Sequence, residues 1–219
     1  MNQSKTLLVL GGSGLVGTEL LLQALAHPAV GQVVAPTRQP LPIALAHPKL
    51  NNPLVDFNAL PEDSSWWRAD AVLCALGTTL RQAGSKSAFR AVDYGLVTDC
   101  ARLALKAGSS TWVLVSSLGA NPRAGSFYLQ VKGHTEKALA AMGFGSLTVV
   151  RPSLLKGKRK ESRMGESIGL FLANLLNPLI PKKYRAVAAT DVASAMLSAA
   201  LEASEGYCVI HSEQIVART

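Results

Sequence analysis

The apolar run over residues 6–10 passes directly into Gly11-Gly12-Ser13-Gly14-Leu15-Val16-Gly17. A strand that turns through glycines into a helix leaves the first N–H groups of that helix without partners, facing whatever lies above the sheet. Gly11 can make the tight turn, Gly14 removes a side chain where a pyrophosphate would sit, and Gly17 lets helix and strand pack closely. Gly12 adds backbone freedom, Ser13 offers a hydroxyl, and Leu15 and Val16 complete the loop at the helix start. The spacing Gly11, Gly14, Gly17 is one residue wider at its start than the commonest dinucleotide fingerprint. Its strand–loop–helix setting makes it a candidate cofactor cradle.

The rest of the chain repeats that alternation. Short strands are expected at residues 5–10, 32–36, near 54–56, 69–76, 111–116, 147–151 and 207–211. Helices are expected at residues 15–25, 88–107, 127–142, 165–176 and 191–203, with Gly108 and Gly143 as stop signals and Thr190 as a cap. The strands lack the strict polar alternation of an exposed sheet, so both faces are covered. The expected class is α/β, a doubly wound, mostly parallel sheet with a small C-terminal extension on the substrate side. A chain of 219 residues that is 48% hydrophobic fits a single NAD(P)-binding domain over residues 1–219, within which residues 152–190 form a substrate-side or partner-facing region.

Charge and minor residues narrow the function. The formal charge is +8, from 22 basic and 14 acidic residues, which admits an anionic partner. One basic cluster is Lys156, Lys158, Arg159, Lys160 and Arg163; a second is Lys182, Lys183 and Arg185. Neither carries a recognisable reading motif, which argues against nucleic acid. A solvated loop near an anionic cofactor or substrate is the better use. Cys74, Cys100 and Cys208 sit in apolar contexts and read as buried thiols, and His27, His47, His134 and His211 form no metal signature. The N-terminus reads as a first strand rather than a secretory signal. Residues 168–180 are interrupted by Asn174, Asn177 and Pro178 and are too short to span a membrane. A soluble cytoplasmic protein is therefore expected. The oligomeric state is left open.

Beyond the second strand, where an acidic residue would bind the ribose hydroxyls of NAD, the charge is Arg38. Its guanidinium suits a 2′-phosphate, favouring NADP (NADPH) over NAD. Asp56 follows the expected third strand, near the adenine. Gly77 and Thr78 follow the fourth and would border the cofactor, with Thr79 a weaker candidate. Tyr128 and Lys132, four apart, share a helix face. In carbonyl reduction a phenol donates a proton as hydride reaches carbon, and a neighbouring ammonium favours the phenolate that results. Lys132 can also hold the nicotinamide ribose. Ser117, or less favourably Ser116, would orient the carbonyl. His134, Glu136 and Lys137 read as ordinary helix-surface residues, and Arg151-Pro152 as a strand end beside the cleft.

These runs together resemble the atypical short-chain dehydrogenase/reductase superfamily, and more closely its Tat-interacting-protein, or oxidoreductase-like, branch. The supporting runs are Gly11–Gly17, Cys74–Thr79, Val92–Tyr94, Val115–Ala120, Phe127–Gly133 and Arg151–Leu155, with the basic Lys158–Glu166 run. The resemblance implies a Rossmann-like fold and NADP binding, with Ser117 as the matching serine, Tyr128 as acid/base and Lys132 as its lysine. The frequent catalytic asparagine of better-characterised members has no match. The expected activity is NADPH-dependent reduction of a small carbonyl substrate. Because the branch includes regulatory members, the alternative is an NADPH-binding regulatory or protein-interaction protein.

Overall fold

A computed structural model describes residues 4–156 and 181–216. The strands are β1 (Lys5–Leu10), β2 (Val30–Val34), β3 (Leu50–Asn51), β4 (Ala71–Cys74), β5 (Thr111–Val115), β6 (Ser146–Arg151), β7 (Leu155–Lys156), β8 (Val187–Ala188) and β9 (Gly206–His211). The helices are α1 (Leu15–Ala26), α2 (Leu80–Ala83), α3 (Lys86–Arg90), α4 (Val97–Lys106), α5 (Phe127–Ala140), α6 (Ala189–Glu202) and α7 (Ser212–Val216).

Seven strands form one sheet in the order β3-β2-β1-β4-β5-β6-β9, and every neighbouring pair is parallel. Alternate residues point to opposite faces, and both faces are covered. Leu7, Val9, Val33, Leu73, Val113 and Val150 pack under α1 and α6. Leu8, Leu10, Val72, Cys74, Leu114 and Val149 pack under α4 and α5. The chain runs outward from β1 to β3, then returns to β4 on the other side of β1. That reversal opens a crevice at the carboxyl ends of β1 and β4, where open α/β sheets take their ligands.

The elements depart from expectation in a few places. The third strand is Leu50–Asn51, not residues 54–56. Pro53 has no N–H to give a ladder, so pairing resumes only as an isolated bridge between Thr37 and Leu54. The helix expected over residues 88–107 is divided by a π-helical segment, Ala91–Leu96. α6 begins at Ala189, so Thr190 lies inside it rather than capping it, and its hydroxyl reaches Asp191 at 3.4 Å. Here β8 pairs with β7 and runs straight into the helix, which fixes the start without a side-chain cap. Cys208 is exposed on the edge strand β9, unlike buried Cys74 and Cys100. The helix expected over residues 165–176 and the cluster Lys158–Arg163 lie outside the described residues. Among the described residues no helix is long and apolar enough to cross a membrane.

Candidate active site

Gly11 leaves β1 with φ +84°, and a Cβ there would lie 2.7 Å from the Ala75 carbonyl carbon and oxygen. Only glycine fits, because the turn crosses directly over the end of β4. A Cβ on Gly17 would run into the Gly11 carbonyl oxygen, so α1 seats against the loop backbone itself. The Gly14 N–H donates to the Gly11 carbonyl at 3.0 Å, and the Thr18 N–H to the Gly14 carbonyl at 2.9 Å. α1 has no side-chain cap and no acidic residue in its first turn, while Ser13 and Gly14 are exposed at its mouth. Among the described residues, no carboxylate of the first turn competes for the amides at the positive end of the helix dipole. These exposed donors suit a diphosphate.

Arg38 follows buried Thr37, whose hydroxyl donates to the Gln39 carbonyl at 2.6 Å and accepts from Asn52 Nδ2 at 2.8 Å. The turn is thus fixed while the Arg38 side chain is exposed and has no ion-pair partner among the described residues. Asp56 is exposed, and its Oδ1 accepts from the Asn58 N–H at 2.9 Å and from Asn58 Nδ2 at 3.0 Å. Thr79 caps α2, accepting from the Gln82 N–H at 3.1 Å.

α5 brings Tyr128, Lys132 and Glu136 onto one face, each a turn from the next. The Tyr128 ring is half-buried and packs against Phe89, 5.6 Å between centroids. Lys132 is buried, with Nζ 2.7 Å from Asp93 Oδ1. The approach is that of an ion pair, lying off the direction of a good hydrogen bond to that oxygen. Burial pulls the Lys132 ammonium down, but the Asp93 carboxylate, the Tyr128 phenol and the Cys74 thiol outweigh it, and the net shift is upward. Burial pushes the Cys74 thiol up to about 12, so it stays protonated at neutral pH.

The two serines after β5 are in different circumstances. Ser116 is buried and donates to Glu136 Oε1. Ser117 is half-buried, and its hydroxyl has only a 3.4 Å contact with the Leu118 carbonyl. Glu136, expected on a solvated face, is buried and also takes Arg151 through both carboxylate oxygens, with Arg151 Nε at 3.1 Å. Tyr207 of β9 borders this pair; its phenol is pushed up by burial first and by Glu136 second, against the pull of Arg151. His134 is half-buried, and its Nδ1 has no hydrogen-bond partner among the described residues. Sequence reasoning missed Asp93 and Glu136. The signal for Asp93 was its place among Phe89, Val97, Cys100, Ala101 and Ala104, all of which are buried. Two surface depressions lie away from this crevice, one of about 470 Å³ beside Leu41–Asn52 and one of about 350 Å³ at the amino ends of β4 and β5.

A parallel, doubly wound sheet with a glycine turn at its switch point defines a Rossmann-like α/β fold, the fold shared by NAD-dependent epimerase/dehydratase and reductase proteins. It is similar to an oxidoreductase, ylbE, from Lactococcus lactis, with TM-score 0.68 and 17% identity, over 97% of this chain and 95% of that one. It is also similar to a putative NAD-dependent epimerase/dehydratase from Bacillus halodurans, with TM-score 0.65 and 18% identity, over 98% of this chain and all of the other. At these identities the likeness is one of fold. The chain belongs to the FMP52 family: it is 35% identical over 191 residues to the mitochondrial protein FMP52 of Candida albicans, covering 78% of this chain and 80% of that protein. It is 32% identical over 218 residues to mitochondrial fmp52 of Aspergillus fumigatus, covering 94% of this chain and 92% of that protein. No protein-family model matches the chain. The expectation of a cytoplasmic protein is overturned by these relatives, which are named as mitochondrial.

Proposed function

We propose that this chain is an NADPH-dependent oxidoreductase that reduces a small carbonyl compound, and that it stands with the Tat-interacting-protein branch of its superfamily. The observation that carries the reading is the buried, charged Lys132 one turn from the half-buried Tyr128, in a fold that also carries the glycine cradle. The runs Cys74–Thr79, Val115–Ala120 and Phe127–Gly133 support the branch. The NAD complex of the fold neighbour MoeE5, with TM-score 0.70, supports a nicotinamide cofactor.

In this reading the Gly11–Gly17 amides bind the diphosphate, with Ser13 adding a hydroxyl, and Arg38 pairs with the 2′-phosphate. Gly77 and Thr78 wall the cofactor, and Asp56 lies towards the adenine. Bound nicotinamide supplies the hydride. Ser117 orients the carbonyl oxygen, and Tyr128 gives it a proton as negative charge develops there. Lys132 holds the ribose and keeps a positive charge beside the phenol, a contribution greatest in the transition state. The expected substrate-side or partner-facing region, residues 152–190, falls largely outside the described residues. The relatives' names support a mitochondrial setting, which co-localisation of the tagged chain with a mitochondrial marker would test.

The test is NADPH consumption over a panel of carbonyl compounds, with cofactor titrations alongside. Tyr128→Phe is expected to lower turnover about 10²–10⁴-fold while leaving NADPH affinity in place. Arg38→Ala is expected to weaken NADPH about tenfold or more and to spare NADH. Tight NADPH binding without turnover on any carbonyl would replace the reductase reading by the regulatory one. Unchanged cofactor preference in Arg38→Ala would remove Arg38 from the site.

A further inference from the structure

Asp93 touches both the lysine and the loop after β4. Its side chain is wholly buried, Oδ2 accepts from the Thr78 N–H at 2.8 Å, and Oδ1 lies 2.7 Å from Lys132 Nζ. A Cβ added to Gly77 would sit 3.3 Å from Asp93 Oδ1 and 3.5 Å from Lys132 Nζ, so the loop passes directly over the ion pair. The aspartate is itself held. Its backbone carbonyl accepts from Thr135 Oγ1 at 2.7 Å, a hydroxyl that also bonds the Val131 carbonyl at 2.9 Å. It stands in the π-helical segment Ala91–Leu96, whose extra residue per turn locally re-aims side chains.

We infer that Asp93 is a positioning residue: one buried carboxylate fixes the Lys132 ammonium and the Gly77–Thr78 loop in a common frame, so that the cofactor wall and the acid–base group are set together. The link to catalysis rests on the reductase reading above. The link between carboxylate, lysine and loop does not.

The groups facing Lys132 are Asp93 from the π-helical segment, Tyr128 from its own helix and Cys74 from β4. Cys74 is protonated at neutral pH. Asp93 therefore supplies the main negative charge opposing the burial of the ammonium. Asparagine at this position keeps the shape, and its carbonyl can still accept from Thr78, but it presents an amide donor to the lysine and removes the charge. Without the carboxylate, burial prevails and the lysine releases its proton at lower pH.

The experiment is a pH titration of ¹³Cε-lysine-labelled protein by NMR, with hydrogen exchange at the Thr78 amide, in wild type, Asp93→Asn and Asp93→Ala. Asp93→Asn is expected to lower the Lys132 midpoint by about one unit or more while the Thr78 amide stays protected. Asp93→Ala is expected to lose both, and Asp93→Asn alone decides the matter if the alanine variant does not fold. An unchanged Lys132 midpoint in Asp93→Asn overturns the inference, as does a Thr78 amide equally protected in a folded Asp93→Ala. Where carbonyl reduction is observed, its alkaline limit should move down with the lysine in Asp93→Asn; a limit that stays put also overturns it. Neither NMR readout needs NADPH. A wild-type chain that binds no NADPH, alongside a shifted Lys132 midpoint, therefore sinks the redox reading and supports the positioning role.

Discussion

An ammonium with 8% of its side chain exposed has lost most of its hydration, and Lys132 keeps its proton because Asp93 stands against it at 2.7 Å. The sign of the resulting pH dependence follows. Its folded value lies above the ordinary lysine value. The stability it contributes is therefore complete below the unfolded value of about 10.4, and is lost as pH climbs through the higher folded value. Lys132→Met leaves the buried carboxylate unpaired and should cost about 3–5 kcal/mol at neutral pH. In urea denaturation across pH, the variant should also show a shallower alkaline decline than wild type. An equal decline in both would mean the pair contributes nothing. Gly11, Tyr128 and Lys132 could be read from spacing because each role depends on local geometry: a turn, or one helical turn. Asp93 could not be assigned in the same way, because its partners Thr78 and Lys132 meet it only once the sheet has assembled. The serine register was ambiguous for a similar reason. Nothing local distinguishes Ser116 from Ser117 until Glu136 engages the first hydroxyl.

α5 is pinned at Glu136. The carboxylate gathers Ser116 from the end of β5 and Arg151 from the end of β6, so the helix carrying Tyr128 cannot slide relative to the loop carrying Ser117. Glu136→Ala should destabilise by about 3 kcal/mol, the lower end of the range for a broken buried pair, because Arg151 is 23% exposed and recovers some hydration. Chemical denaturation measures this, and a loss below about 0.5 kcal/mol would show the pin to be dispensable. The apolar strands and amphipathic helices could be read from pattern, whereas their joints could not. The ladder around β3 depends on which partner Pro53 denies a bond. The π-helical segment depends on how α3 and α4 pack, and no propensity encodes that. Glu136 was misplaced on the surface because a helix of mixed polarity does not declare which of its faces meets the sheet ends.

Ligand binding should register across the entire fold. NADPH at about one hundred times its dissociation constant would stabilise the chain by about 2.7 kcal/mol, raising the melting temperature by roughly 5–10 °C. Calorimetry should show this rise for wild type and a smaller one for Arg38→Ala; identical rises would detach the phosphate from Arg38. The +8 charge favours capture of such an anion, and the effect should weaken with salt. The sheet order also bears on how the protein is made. No neighbouring pair is a hairpin, so every pairing waits for a crossover to be completed. β6 acquires its second neighbour only when residues 206–211 exist. A nascent chain halted on the ribosome before that point would hold out an unpaired apolar edge, Leu147 to Val150, to any other extended polypeptide nearby. Translation is therefore expected to be an aggregation-prone stage for this molecule until β9 emerges.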